Sequence, residues 1–178
     1  MKPFVVGIAG YMGSGKSTVA EYFAKKGAKL IDADKVVNEL YEPNHDGYLK
    51  IANFFGAEYV SKNGQLNRKK LATFVFKDLK KLKILNYLIH PLVASEVQKI
   101  IDKTTEDFIV LEAVYFEEKH LGRLVDTIVW VDAPLELLKQ RALQRPGMTE
   151  DLFRRILKAQ VKPEKIDYVV NNDGDLEN

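Results

Sequence analysis

The stretch GYMGSGKS, residues 10–17, fits the pattern Gly-x-x-x-x-Gly-Lys-Ser/Thr of a phosphate-binding loop at every fixed position. Glycines at positions 10, 13 and 15 can adopt positive φ angles and leave no Cβ in the way of a phosphate. Successive backbone N–H groups can then point inward at the positive end of a helix. The stretch therefore predicts a binding site for a nucleoside triphosphate, the P-loop.

The sequence on either side of this loop has the expected pattern. The six apolar residues FVVGIA, residues 4–9, are typical of a short buried strand. After the loop, apolar residues repeat at helical spacing at positions 19, 20, 23 and 24, and Gly27 is a plausible helix end. A strand, the glycine-rich loop and a helix are thus predicted in the order that a phosphate-binding loop requires.

Individual loop residues have distinct expected roles. Lys16 can reach the β- and γ-phosphates, and the Ser17 hydroxyl can bind Mg²⁺. We expect the nucleotide to be held by the loop residues Met12, Gly13, Ser14, Gly15, Lys16, Ser17 and Thr18. ATP and Mg²⁺ are therefore the expected cofactors.

Beyond the loop, strand patterns alternate with helix patterns. Strands are predicted at residues 4–9, 29–31, 108–111, 126–131 and 168–170. Such alternation favours an α/β fold with a doubly wound, parallel five-stranded sheet of the P-loop NTPase type.

We predict a single domain with a helical cap and a lid. The core comprises residues 1–43, 104–135 and 161–178. The segment of residues 44–103, between the second and third strands, is too long for a simple crossover connection. It is expected to form an acceptor-binding cap over the carboxyl ends of the strands. Residues 136–160 are expected to form the lid.

Composition narrows the class of protein further. The chain of 178 residues is 46% hydrophobic and has no cysteine, which excludes disulfides and thiolate chemistry. The amino-terminal apolar run of six residues is too short for a signal peptide, and no later run approaches the length of a membrane span. We therefore expect a cytoplasmic protein without a membrane partner.

Basic residues are concentrated in two segments although the net charge is only +2. Residues 68–83 contain seven lysines and arginines against Asp78 alone, and residues 136–165 are also basic. These segments suit a phosphate-rich small substrate, or they are solvated helix faces. Because no nucleic-acid-binding motif accompanies them, a nucleic-acid partner is not expected.

Among nucleotide-binding classes, the motifs favour a small-molecule kinase. The Asp-x-x-Gly and Asn-Lys-x-Asp motifs of GTPases are absent. A kinase needs a cap for its second substrate, a carboxylate near the acceptor and arginines that close over the phosphates. A nucleoside monophosphate kinase-like enzyme and a nucleotide-binding module without phosphotransfer are the alternatives.

Two carboxylates follow the second strand in Asp32-Ala33-Asp34. One can hold a Mg²⁺-bound water, and the other can accept the proton of the acceptor hydroxyl. Alternatively, Asp34 is the N-cap of the next helix.

Arginines in the predicted lid are candidates for contacts with phosphate. Arg141 and Arg145 lie one turn apart on one helix face, before Pro146-Gly147, and Arg154 and Arg155 lie on the next helix. Either their guanidinium groups contact the phosphates when the lid closes, or they are exposed surface residues.

Two further residues have open interpretations. His90 precedes Pro91 in an apolar segment, where we expect a break in the helix, and it is a core residue or an acceptor ligand. Glu112 follows the third strand, where an acid can coordinate a metal or act structurally.

The chain resembles the dephospho-CoA kinase family over nearly its whole length. The resemblance is carried by GIAGYMGSGKSTVAEYF, IDADKVVNEL, NGQLNRKKLATFVF, NYLIHPLV, VDTIVWVDAP, LLKQRALQR and RILKAQ. It implies transfer of the γ-phosphoryl group of ATP to the ribose 3′-hydroxyl of dephospho-CoA, giving coenzyme A and ADP.

The resemblance also implies roles for particular residues. Asp34 matches the family's catalytic base, and Asp32 lies beside the metal. Arg68 and His90 match positions of the acceptor-binding cap, and Arg141 matches the lid arginine that binds phosphate. Asn172 and Gly174 match the loop that lines the adenine pocket. A monomer or small homo-oligomer is expected.

Overall fold

A computed structural model describes residues 2–174. It divides into two compact units: one built from the described residues up to Asp32 and from Ile100 onward, and a second that spans Ala33–Lys99. None of the helices within residues 2–174 combines the length and apolar character needed to cross a bilayer.

The first unit contains a five-stranded sheet. Its strands are β1 (Phe4–Gly10), β2 (Lys29–Asp32), β3 (Phe108–Glu112), β4 (Thr127–Asp132) and β5 (Tyr168–Asn171). The spatial order is β2-β3-β1-β4-β5, and all four pairs of neighbours are parallel. The predicted five-stranded parallel sheet is confirmed.

Within the described residues, three α-helices lie wholly in this unit, α1 (Lys16–Lys25), α6 (Leu135–Leu143) and α7 (Glu150–Ala159), together with a 3₁₀ helix at Leu121–Leu124. Ala20 of α1 packs with Val6, Ile8, Val110 and Val129 in the buried core. Burial of both faces explains why the central strands are continuous apolar runs. The register aligns the carboxyl ends of the strands at one edge of the sheet.

The second unit is mainly helical. It contains α2 (Ala33–Leu40), α3 (Asp46–Phe55), α4 (Arg68–Val75) and most of α5 (Leu79–Lys103). Asn67 is the N-cap of α4, because its side chain accepts a hydrogen bond from Lys70 N at 3.0 Å. The role of residues 44–103 as a cap and of 136–160 as a lid stays a prediction.

The break expected at His90-Pro91 is wrong, because α5 continues through Pro91. Pro91 lacks the N–H that would bond to the carbonyl of Tyr87, one turn earlier. Both Tyr87 and Pro91 are exposed, so that carbonyl lies on the solvent side of the helix. Water can satisfy the carbonyl there, which makes an internal proline tolerable.

Asp34 is not the N-cap that the sequence suggested. Helix α2 begins at Ala33, directly after the last residue of β2, so Asp34 lies in the first helical turn. An acid is favourable at this position because it faces the positive end of the helix dipole.

Candidate active site

The P-loop connects β1 to α1 and begins with a tight turn. Ser14 N donates to Tyr11 O at 3.1 Å, and Gly13, the third residue of this turn, has φ 85°. Met12 does not have a positive φ, so residues 11–14 form a type II turn, which requires positive φ at its third position alone. Gly15 then precedes α1 with φ 89°.

Two loop glycines are required for space as well as for conformation. A Cβ on Gly13 would lie 2.5 Å from the backbone oxygen of Leu138 in α6. A Cβ on Gly15 would collide with Nδ2 of Asn172. The P-loop is therefore packed against α6 and the segment after β5.

Oxygen atoms that suit a magnesium ion lie beside the loop. Ser17 Oγ donates to Oε1 of Glu112, the last residue of β3, at 2.7 Å. Asp32, the last residue of β2, is the Cα partner of Glu112 in the parallel register. Residues at the same level of adjacent strands point to the same face of the sheet.

The number of acidic side chains here is small. Residues 2–174 hold no group of three or more histidine, cysteine or acidic side chains arranged for a metal. Mg²⁺ fits such a site, because it usually keeps several waters and binds one or two carboxylates together with substrate phosphates.

Lys16 lies at the first position of α1, and its Nζ donates to the backbone oxygen of Tyr11 at 3.3 Å. The ammonium group is thus folded back over the P-loop turn, on the element where the motif places the β- and γ-phosphates.

Arg141 and Asn172 contact the P-loop through its backbone carbonyls. Arg141 Nη1 donates to Asn172 O at 3.1 Å and to Gly13 O at 3.5 Å. Asn172 Nδ2 donates to Ser14 O at 2.8 Å, and Asn172 N donates to Asp132 O at 2.8 Å. The two residues tie the loop to β4 and α6. Gly174, two residues further on, is exposed.

Gln160 is a contact of the loop that the sequence reasoning missed. Its Oε1 accepts a hydrogen bond from Met12 N at 3.0 Å, although the two residues are 148 positions apart. Gln160 is the last residue of RILKAQ, one of the segments that carry the family resemblance, but that segment does not indicate what the side chain contacts, so the contact is seen only in the folded chain.

In the second unit, Arg68 is held by the helix that begins with Ala33-Asp34. Arg68 Nη1 donates to Asn38 Oδ1 at 2.5 Å, and Nη2 donates to Asn38 O at 3.0 Å. Nη2 also contacts Glu42 Oε1 at 2.8 Å, and the guanidinium lies 5.9 Å from the ring centroid of Tyr41. Bidentate contacts of this kind fix the guanidinium plane.

Arg68, Glu42 and Tyr41 border an open cavity of about 370 Å³ at the surface of the second unit. It is lined by Tyr41, Glu42, Ser61, Gln65, Leu66, Asn67 and Arg68. Burial raises the pKa of Tyr41 to about 12, and the positive charge of Arg68 opposes part of that rise. The cavity is polar and is lined by one cation and one anion.

The other two predicted residues of this unit lie on its helices. Asp34 is exposed in the first turn of α2, and His90 is half-buried in the middle of α5, next to the buried Ile89. The structure thus groups the P-loop, Glu112, Arg141 and Asn172 in the first unit, and it assigns Asp34, Arg68 and His90 to the second.

A parallel sheet with a Gly-x-x-x-x-Gly-Lys-Ser loop between its first strand and first helix defines a nucleotide-binding protein of the P-loop NTPase class. A gluconokinase from Sinorhizobium meliloti shares this fold, with a TM-score of 0.52 at 15% identity, covering 97% of this chain and 83% of its own.

The family model described as dephospho-CoA kinase matches residues 4–178. The chain belongs to the dephospho-CoA kinase family, and its function is that of the family: phosphorylation of dephospho-CoA to coenzyme A, the last step of coenzyme A biosynthesis. As in other kinases, ATP is a substrate.

Individual relatives agree with this assignment. A dephospho-CoA kinase from Aquifex aeolicus is 38% identical over 177 residues, which is 97% of this chain and 90% of the relative. One from Shewanella oneidensis is 36% identical over 180 residues, covering 99% of this chain and 88% of the relative.

Solved structures are similar as well. A Thermus thermophilus protein has a TM-score of 0.81 at 30% identity and is matched over 99% of this chain and 92% of its own. A dephospho-CoA kinase from Campylobacter jejuni has a TM-score of 0.63 at 25% identity, over 97% of this chain and 90% of its own.

Proposed function

We propose that the chain transfers the γ-phosphoryl group of ATP to the ribose 3′-hydroxyl of dephospho-CoA, with the triphosphate bound by residues 12–18. The observation that carries this proposal is the P-loop turn. Gly13 and Gly15 have φ angles of 85° and 89°, and left-handed residues of this kind support the proposal because they let backbone N–H groups form an anion-binding nest. Asn172 and Gly174 line the adenine side.

In this proposal Mg²⁺ is held by Ser17, by Asp32 through a water and by Glu112. The hydroxyl and carboxylate oxygens of Ser17 and Glu112 already lie within 2.7 Å of each other. When bound, the ion neutralises charge on the β- and γ-phosphates. The protein's part is to orient the oxygens that hold it.

Asp34 is the proposed base. It is exposed in the first turn of α2 and follows Asp32 by two residues, so the two Cα atoms are at most about 7 Å apart. Asp34 accepts the proton as the 3′-oxygen forms its bond to the γ-phosphorus and the bond from that phosphorus to ADP breaks.

Lys16 and Arg141 are the proposed cations that stabilise the transferring group. The Nη1 atom of Arg141 contacts Asn172 O and Gly13 O. A guanidinium has further N–H donors on Nη2 and Nε, and we propose that these reach phosphate oxygens when the lid, residues 136–160, closes. Catalysis then consists mainly of positioning and charge stabilisation.

The acceptor is proposed to bind the second unit through Arg68 and His90. Arg68 is held by Asn38 and Glu42 at the edge of the 370 Å³ cavity, which presents hydroxyl and amide groups to a polar substrate.

We further propose that the enzyme acts in the cytoplasm, as a monomer or small homo-oligomer, without a nucleic-acid or membrane partner.

Mass spectrometry of reactions with ATP and Mg²⁺ tests this proposal. Dephospho-CoA, AMP, CMP, pantothenate and water alone serve as parallel acceptors, and a Lys16→Ala preparation controls for contaminating kinases. We expect a gain of one phosphate on dephospho-CoA far above the other acceptors, with fragmentation assigning it to the 3′-position. Phosphate on AMP or CMP instead, or at another hydroxyl, would refute the acceptor assignment.

A further inference from the structure

Gln160 is fixed at the end of α7 by several contacts. Its backbone N–H donates to Ile156 O at 3.0 Å and closes the last turn of the helix. The preceding residue, Ala159, accepts a hydrogen bond from Tyr115 OH at 2.6 Å. The side chain of Gln160 therefore starts from a constrained backbone.

The same helix packs on the start of the P-loop. Phe153 of α7 is 2% exposed and belongs to a buried cluster with Leu138 and Ala142 of α6. Tyr11 and Met12 pack against this cluster. The hydrogen bond from Met12 N to Gln160 Oε1, at 3.0 Å, lies beside this apolar contact.

The turn itself leaves the Met12 N–H without a partner. In the type II turn of residues 11–14, the internal hydrogen bond joins Ser14 N to Tyr11 O. Met12 occupies the second position, whose N–H takes no part in that bond. Leaving the half-buried Met12 N–H without an acceptor would cost free energy. The hydrogen bond to Gln160 Oε1 therefore stabilises the turn conformation in which this N–H faces the glutamine.

We infer that Gln160 is a positioning residue for nucleotide binding, which holds the turn of the P-loop by accepting the Met12 N–H and thereby links the loop to the end of α7. This inference rests on the proposed function, in which residues 12–18 bind ATP. Gln160 acts through the loop backbone and needs no contact with either substrate.

The contact that Gln160 makes with the loop differs in kind from those of Arg141 and Asn172. Arg141 and Asn172 bind the carbonyls of Gly13 and Ser14, whereas Gln160 binds an N–H. From the end of α7, Gln160 adds a hydrogen bond to the apolar packing of Phe153 against the loop. Its loss should therefore affect the nucleotide and leave the acceptor largely unaffected.

The variant Gln160→Leu tests the inference, because leucine has a similar volume and no acceptor. We expect the dissociation constant of ADP, measured by titration calorimetry, and the KM for ATP to rise about tenfold. The KM for dephospho-CoA should stay within about twofold. Glu164→Gln, a change at an exposed residue beyond the lid, is the control and should change neither value.

A second variant separates the hydrogen bond from simple packing. Met12→Pro removes the N–H and suits the second position of a type II turn, where proline is common. In the Met12→Pro background, Gln160→Leu should change the ADP dissociation constant by less than about twofold. The same tenfold loss in both backgrounds would overturn the inference, because the effect would then not pass through the Met12 N–H.

Amide hydrogen exchange tests the same hydrogen bond even if the Met12→Pro variant does not fold. Gln160→Leu should accelerate amide exchange in a peptide covering residues 10–14 and leave peptides of β3 and β4 unchanged. An ADP dissociation constant within twofold of wild type, with unchanged exchange, would also overturn the inference. If wild type binds ADP but does not phosphorylate dephospho-CoA, the proposed function fails while the role of Gln160 is still decided by ADP affinity.

Discussion

The P-loop in the first unit and the Arg68 cluster in the second are built in different ways. The loop presents backbone groups. Its conformation is fixed by the positive φ angles of Gly13 and Gly15 and by side chains that form hydrogen bonds with the backbone N of Met12 and the backbone O of Ser14. The Arg68 cluster presents side chains, which are held by one another through Asn38 and Glu42 and remain accessible.

This difference indicates how each region tolerates change. Backbone N–H groups recognise any polyphosphate, so the loop supplies affinity and charge stabilisation but little choice of acceptor. Side chains differ in shape and charge, so the second unit can determine which acceptor is phosphorylated. Substitutions in the two regions should accordingly alter different kinetic constants.

The largest difference between the effect on turnover and the effect on ATP affinity is expected for Asp34→Asn, which removes a proton acceptor and keeps the shape of the side chain. We expect kcat to fall by about 10²–10⁴, the usual range for loss of a general base, with ATP affinity changed by only a few-fold. Steady-state kinetics and calorimetry measure the two effects. Asp46→Asn, an exposed acid in the first turn of α3, is the matched control. Near-normal turnover would remove Asp34 from this role.

Lys16→Ala tests the P-loop side of the comparison. Loss of an oriented charge that stabilises the transferring phosphoryl group should lower kcat/KM by about 10²-fold, equivalent to about 3 kcal/mol. Lys25→Ala, at the exposed opposite end of α1, should retain activity. An unchanged kcat/KM in purified Lys16→Ala would contradict the assignment of the triphosphate site.

Arg68→Ala tests the acceptor side. Because a charge-assisted hydrogen bond would be lost, we expect the KM for dephospho-CoA to rise about tenfold, with the KM for ATP within about twofold. Arg68→Lys should recover only part of the affinity, since an ammonium cannot reproduce the guanidinium fork. Lys62→Ala, at an exposed residue outside the basic segment 68–83, is the control variant. An equal rise in both KM values would mean that the two regions are not functionally separate.

The last prediction concerns stability, through an ionisation beside Arg68, and no kinetic constant is expected to change. The pKa of Tyr41 is raised to about 12 in the fold, against about 10 in an unfolded chain, so the neutral phenol is favoured by folding. Stability should therefore be lost as the pH rises from 10 towards 12. Tyr41→Phe should lose less stability over this window in urea unfolding. Tyr87→Phe, at a residue 80% exposed, should behave as wild type, and parallel curves for all three proteins would contradict the expectation.

Much of the first unit could be predicted from the sequence. The strand, loop and helix around residues 10–17 follow from local rules of periodicity and glycine conformation, and the bounds of all five strands were predicted to about one residue at each end. The site residues of the loop are contiguous, so one motif contained them. Their chemical roles remain predictions for the experiments above.

Local rules failed where the surroundings of a residue decide its conformation. Pro91 was expected to interrupt α5, but its outward position lets water satisfy the carbonyl that it leaves without a partner. Asp34 was expected to cap α2, with Lys35 as the first helical residue, but the helix begins at Ala33, two residues earlier and directly after β2. Propensity describes a residue's average cost and cannot anticipate such compensation.

The sequence by itself determined the class of fold, the phosphate-binding loop and, through its motifs, the resemblance to a kinase family, because each depends on residues close together in the chain. Only the tertiary structure decided that Gln160 accepts the Met12 N–H, that Asn172 binds Ser14 O and that Arg68 is held by Asn38 and Glu42. These pairs are separated by 26 to 158 residues. A hydrogen bond is selected by distance and angle in space, which chain folding sets and sequence spacing does not record.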